Sequence, residues 1–168
     1  GLGDVYKRQY LSLIQYSDEA LRELIEHYKS IDEPTMIVFF GDHQPSFASE
    51  LVKTYYPDKT TQEQRLIGSA TPFIIWTNYD SPSEEDIVVS PSILGAMVAQ
   101  QAGFDLPALP NLIMSRIYPK ISVAHEAGVV SRENGTIYDI DHLPENLQTE
   151  WDKWQKLCYY YLFDFQTQ

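Results

Sequence analysis

Met36-Ile37-Val38-Phe39-Phe40-Gly41-Asp42-His43 is the stretch whose reading decides the fold. Its first five residues are apolar, rich in β-branched and aromatic side chains, and too few for a helix. Such a run predicts a strand buried on both faces, as in a parallel sheet. It ends at a glycine, and a carboxylate and an imidazole follow at once. The C-terminal ends of strands are where open α/β sheets place their ligands. Gly41 lets the chain turn sharply, so that two neighbouring side chains converge instead of pointing to opposite faces. Pro45 then delays the return to regular structure. Carboxylate oxygen and imidazole nitrogen are donors that Zn²⁺ or Mn²⁺ accept, so Asp42 and His43 are the candidate metal ligands.

The flanking elements support an α/β crossover. Leu11, Ile14, Leu21, Leu24, Ile25 and Tyr28 recur at helical spacing, which predicts a helix over 10–29. Asp32-Glu33-Pro34 is a turn, and a strand follows over 35–40. Beyond the Asp-His pair, a short helix is expected near 49–55 and then a loop to Gly68. Thr71–Thr77 reads as a second apolar strand with Pro72 at its start. Ser90-Pro91 opens a helix that Gly103 stops. Leu106–Pro110 reads as loop, and a short helix is expected over 112–117. Asn134-Gly135, between Val129-Val130 and Thr136-Ile137-Tyr138, signals a hairpin. From Pro144 to about Phe163, Leu147, Trp151, Trp154, Leu157, Cys158 and Tyr161 form the apolar stripe of a long helix. The expected fold class is therefore α/β: a partial, mostly parallel central sheet flanked by helices, with a C-terminal hairpin and long helix.

The chain has 168 residues, 43% of them hydrophobic and 21% charged, which suits a domain with a true core. Its formal net charge of −12 argues against a nucleic-acid partner, because phosphate neutralisation needs clustered Lys and Arg. No polybasic segment is offered to anionic lipid, and no apolar run approaches the ~20 residues that span a bilayer. With Cys158 as the lone cysteine, no internal disulfide can form. That fits a reducing compartment and equally the many bacterial surface proteins that lack cysteine. Gly1–Gln9 stands outside the periodic pattern and resembles a translated adapter. These residues are expected to be a non-native scar, leaving 10–168 as the domain portion.

The remaining polar and aromatic signals are weaker. His27 lies on the first helix, while His125 (beside Glu126) and His142 lie in loops without a companion ligand, so none is selected as a site residue. Trp151 and Trp154 are assigned to packing, and Trp76, at a strand end, is left between packing and sugar stacking. The Gly-rich phosphate-loop, dinucleotide and nucleophile-elbow signatures are absent.

Tyr10-Leu-Ser-Leu-Ile, Ser17-Asp-Glu-Ala-Leu21 and Ile37-Val-Phe-Phe-Gly-Asp-His-Gln-Pro45 together resemble the lipoteichoic acid synthase-like phosphoglycerol transferases of the alkaline phosphatase/sulfatase superfamily. The resemblance continues through Thr71-Pro-Phe-Ile-Ile-Trp-Thr-Asn78, the helix at Ser90-Pro91 and the closing Tyr159-Tyr-Tyr-Leu-Phe-Asp164. It implies the C-terminal part of a catalytic domain on the outer face of a Gram-positive-type cell membrane. A divalent ion, Mn²⁺ by resemblance, binds a threonine that attacks the phosphate of a phospholipid head group. The glycerophosphoryl group then passes to a cell-surface polymer. Asp42 and His43 match the family's Asp-His metal pair. Its nucleophilic threonine, metal-binding glutamate, phosphate-holding histidine and arginine, and N-terminal membrane anchor all lie upstream of this chain. Thr35, Thr54 and Thr71 do not sit in the nucleophile's motif, so no catalytic residue is assigned and the fragment alone is expected to be inactive. Two other readings stay open: a sulfatase or phosphatase-type ester hydrolase of the same superfamily, and a degenerate, non-catalytic binding module.

Overall fold

The computed structural model describes residues 2–164. The chain forms two compact units. One holds the chain up to Phe40 together with Pro72–Ser81; the other holds Gly41–Thr71 and the chain from Pro82 onward.

The first unit contains helix α1 (Leu2–Lys29) and strands β1 (Met36–Phe40) and β2 (Phe73–Thr77). Helix α1 starts at Leu2 instead of Tyr10, so residues 2–9 continue its regular backbone. Asn78 ties its end to the ribbon. The Asn78 amide nitrogen donates to the carbonyls of Tyr28 (3.2 Å), Ile31 (2.9 Å) and Glu33 (2.9 Å), and its oxygen accepts from Thr35 N (2.8 Å). One side chain thus gathers a carbonyl of the last turn of α1 and two from the loop after it, and fixes the start of β1.

β1 and β2 were expected in a mostly parallel sheet, but they pair antiparallel, from Met36 opposite Thr77 to Phe40 opposite Phe73. The cause lies in the connection. A parallel pair needs a crossover that returns the chain to the opposite end of the first strand. Here the excursion over 41–71 leaves from Phe40 and comes back at Phe73, which face each other, so it acts as a long hairpin loop. Nor is β1 buried on both faces. Its residues are half-buried, Phe40 is 59% exposed, and Ile74 on β2 is 45% exposed. A two-stranded ribbon has too little surface to cover either face.

The second unit carries the core. Helices α2 (Ala48–Tyr55) and α3 (Thr61–Ser69) fill the excursion. Helix α3, expected as loop, is launched by a capping box: Thr60 Oγ1 accepts from Glu63 N, and the Glu63 carboxylate accepts from Thr60 N. After Pro82 come α4 (Pro91–Gln101), α5 (Ala108–Leu112), a π-helical turn (Ile113–Ile117), strands β3 (Ile121–His125), β4 (Gly128–Ser131) and β5 (Ile137–Tyr138), and α6 (Glu145–Tyr159) with a π-helical end to Asp164. The Asn134-Gly135 hairpin forms as expected, with Val129 opposite Tyr138 and Val130 opposite Ile137. β3 was not expected; it adds to β4 to make an antiparallel three-stranded sheet. Gly103, in the left-handed region at φ 77°, stops α4.

Ile93, Ala96, Ile113, Ile117, Tyr118, Ile121, Val129, Leu147 and Trp154 form the buried cluster where α4, the π turn, the sheet and α6 meet. Trp151 packs edge-on against Trp154 at 5.8 Å between ring centres, so both serve the packing role expected of them. Ser90 caps no amide of α4. Its Oγ instead accepts from Ala124 N (2.7 Å) and donates to Ala124 O (3.1 Å), pinning β3 beside the helix start. The α/β class holds, with the C-terminal hairpin and long helix in place; among the described residues both sheets are antiparallel.

Candidate metal centre

The chain leaves β1 at Phe40 and turns at Gly41. Gly41 does not occupy a left-handed conformation; its constraint is steric. A Cβ at this position would lie 2.9 Å from Thr71 Cβ and 3.3 Å from Thr71 Cγ2. The close approach brings Thr71 Oγ1 within 2.8 Å of the Gly41 carbonyl, to which it donates. The Gln44 side-chain amide donates to the carbonyl of Ala70. Two hydrogen bonds therefore clasp residues 41–44 to residues 70–71, one on each side of the Asp-His pair.

Within that clasp Asp42 and His43 converge. Asp42 Oδ1 accepts from His43 N at 2.8 Å, which curls the backbone around the carboxylate. Asp42 Oδ2 lies 3.5 Å from His43 Nε2. His43 Nδ1 lies 3.1 Å from the Gln44 carbonyl. A proton on Nδ1 makes that contact a hydrogen bond and leaves the Nε2 lone pair free. Both side chains are open to solvent, Asp42 at 84% and His43 at 79% exposure.

These atoms suit a divalent ion. Donors held at about 2.0–2.1 Å from one ion with tetrahedral angles are about 3.4 Å apart, close to the 3.5 Å between Oδ2 and Nε2. A metal-bound histidine almost always gives its second ring N–H to a carbonyl or carboxylate, and the Gln44 carbonyl fills that role. Among the described residues no group of three His, Cys, Asp or Glu side chains comes together. Asp42 and His43 are thus the two candidate donors that the turn brings together.

The other histidines stay apart from this pair in role. His27 is exposed on α1, edge-on to Tyr28. His125 Nδ1 accepts from Ala127 N at 3.0 Å and shapes the β3–β4 turn. His142 is exposed in a 3₁₀ turn, 3.8 Å from Asp139. Trp76 sits half-buried in β2 opposite Ile37. Thr71 is the residue whose part was not foreseen. Its hydroxyl holds the turn that carries Asp42 and His43. The only signal for it was its place at the mouth of the second strand.

A family model described as Sulfatase matches residues 5–104, a span that contains Asp42 and His43. In Rhizobium meliloti (strain 1021), a candidate cyclic beta-1,2-glucan modification protein is 27% identical over 132 residues, covering 75% of this chain and 20% of its own. The capsular polysaccharide biosynthesis protein RkpI of the same strain is 38% identical over 55 residues, covering 31% of this chain and 9% of its own. The chain thus spans a fifth or less of the length of these relatives. No solved structure matches it. With well over half of its residues matched by that model, the chain belongs to the Sulfatase family.

Proposed function

We propose that this chain is the C-terminal part of the catalytic domain of a phosphoglycerol transferase. In this reading the enzyme takes its group from a phospholipid head group, uses Mn²⁺, and builds or decorates a polymer at the cell surface. The observation that carries the proposal is the convergence of Asp42 Oδ2 and His43 Nε2 at 3.5 Å on a turn directly after a family strand. The relatives' names, glucan modification and capsular polysaccharide biosynthesis, support a cell-surface polymer as acceptor.

The chain's own residues hold and orient. Asp42 brings a negative oxygen and His43 a neutral nitrogen to one point. The Gln44 carbonyl keeps the imidazole in the ligating tautomer. Thr71 and Gln44 hold the turn from which the two side chains extend. A divalent ion there would supply Lewis acidity, lowering a bound hydroxyl's pKa and neutralising charge on phosphoryl oxygens. The nucleophile, the further ligands and a membrane anchor are assigned to the parent protein outside this chain. Among the described residues no helix is long and apolar enough to cross a membrane.

The family's description favours a second reading, hydrolysis of sulfate or phosphate esters at the same centre. The test uses the intact parent protein with Mn²⁺ and vesicles of phosphatidylglycerol, and follows diacylglycerol release. The proposal expects release that falls by ~10²-fold or more in Asp42→Asn and His43→Ala. Turnover of an aryl sulfate without diacylglycerol release would favour the hydrolase. Mn²⁺ affinity unchanged in both variants would refute the metal assignment and favour a binding module.

A further inference from the structure

Among 24 acidic and 12 basic residues, three basic groups gather at one point of the second unit. Arg116 Nη2 (3.0 Å), Lys120 Nζ (3.4 Å) and Lys153 Nζ (3.3 Å) all approach Oε1 of Glu150. Because one atom is their common neighbour, no two of the three nitrogens are separated by more than twice such a distance. Glu150 is 2% exposed, whereas the side chains of Arg116, Lys120 and Lys153 are 53%, 41% and 42% exposed. The carboxylate is the buried hub, and the cations reach outward from it.

Two features set this cluster apart from a carboxylate that has merely found counter-ions. The first is the charge balance. A buried carboxylate is neutralised by one cation, yet three are present, so the cluster carries a surplus of two positive charges in a strongly acidic chain. The second is the arrangement. Three donors crowd onto Oε1, while Oε2 is buried with no hydrogen-bond partner among the described residues. Donors placed to satisfy Glu150 would be shared between its oxygens. Placed as they are, they satisfy it poorly and bring three cations to one spot. Lys120 also reaches the Asn146 carbonyl at 3.4 Å. Even so, each ammonium and the guanidinium keep N–H groups that Glu150 does not use. Burial opposes ionisation of Glu150, but Arg116 and Lys153 hold its carboxyl below the usual range, so the hub stays charged.

We propose that Arg116, Lys120 and Lys153 form a binding site for a phosphate-bearing anion, separate in its residues from the Asp42–His43 pair and not dependent on a metal there. Phosphate offers several charged oxygens on one small centre, which suits three half-exposed cations that share one neighbouring atom. The common anchor on Glu150 restrains three long side chains before binding, so less rotamer freedom is lost when the anion arrives.

The test is a titration of the isotope-labelled chain followed by amide and lysine side-chain NMR. The probes are inorganic phosphate and glycerol phosphate, against sodium chloride at matched ionic strength. Saturable shifts are expected at residues 116–120 and 150–153 with both phosphates and not with chloride. Lys153→Gln should weaken binding by about three- to tenfold, the loss of one charge-assisted hydrogen bond. Lys153→Arg should restore it. Lys29→Gln on α1, which removes an exposed partner of Glu26, should leave it unchanged. Addition of phosphatidylglycerol vesicles separates the sources: competition assigns the anion to a lipid head group, and its absence to a soluble or polymer-borne phosphate. Equal shifts with chloride, shifts that avoid these residues, or an affinity that Lys153→Gln does not alter in a folded chain would each overturn the proposal.

Discussion

Replacing Gly41 by alanine puts the geometry of the Asp42–His43 turn to a direct test. The added methyl would sit 2.9 Å from Thr71 Cβ, a separation that real Cβ atoms essentially never show, and 3.3 Å from Thr71 Cγ2. Thr71 cannot retreat freely, because its hydroxyl holds the Gly41 carbonyl at 2.8 Å. Relief therefore requires a backbone shift or loss of that hydrogen bond. Overpacking costs about 1–3 kcal/mol, and a neutral hydrogen bond about 1 kcal/mol. Gly41→Ala should destabilise the chain by about 2 kcal/mol, read as a fall in the urea midpoint without a change in slope. Thr71→Gly removes the opposing carbon and supplies the second arm of a double-mutant cycle. If the clash is the cause, the cost of Gly41→Ala should shrink by about 1 kcal/mol or more in the Thr71→Gly background. A cost below about 0.5 kcal/mol in the wild-type background, or perfect additivity, would show that the turn does not depend on this contact.

Gly128, in the left-handed region at φ 150°, should tolerate alanine less well than Gly41. Its Cβ would meet the Tyr138 carbonyl at 2.8 Å, backbone that cannot swing aside, and a loss above about 3 kcal/mol in urea unfolding is expected. Ser90→Ala removes both hydrogen bonds to Ala124 and should cost about 1–3 kcal/mol, whereas Ser90→Thr, which keeps the hydroxyl, should cost less. Glu63, held at about 2 first by its hydrogen bond from Lys59 and then by Thr60, contributes stability that is complete above about 4.5 and lost as pH falls toward about 2. Glu63→Gln should flatten that part of the profile of urea midpoint against pH. Burial, and then its 2.6 Å hydrogen bond to Glu84, push the Tyr118 phenol up to about 12, so a tyrosinate absorbance step near that pH should vanish in Tyr118→Phe.

The parts of the fold that were legible in the sequence are those with local causes. Asn134-Gly135 can turn in few ways, and the hairpin is there. Ser90-Pro91 and Gly103 bracket α4 because their backbone preferences act within a few residues. Helix α3 is signalled in the sequence only by the capping box of Thr60 and Glu63, because Leu66 and Ile67 give too thin an apolar face to announce a helix. β3 was missed because Ile121–His125 has little alternation of its own and gains its partner from β4. The direction of the β1–β2 pairing was illegible for a different reason. Two apolar strands around a long connection read alike for a crossover and for an elongated hairpin, and only the meeting of Phe40 with Phe73 decides. At the candidate site, Asp42 and His43 stand out from Gly-Asp-His alone. The clasp could not, because Thr71 and Ala70 reach Gly41 and Gln44 from some thirty positions further along the chain.

That clasp also bears on how the molecule assembles. Zipping β1 to β2 requires Phe40 and Phe73 to find each other across a long stretch of polymer, and the entropy of such a ring rises only slowly with its circumference. Once α2 and α3 have coiled and Thr71 has latched onto Gly41, the ring is already drawn shut like a purse string. Ribbon formation then becomes a neighbourly event. The same knot that presents a carboxylate and an imidazole to the outside thereby shares its closure with the strands on its threshold.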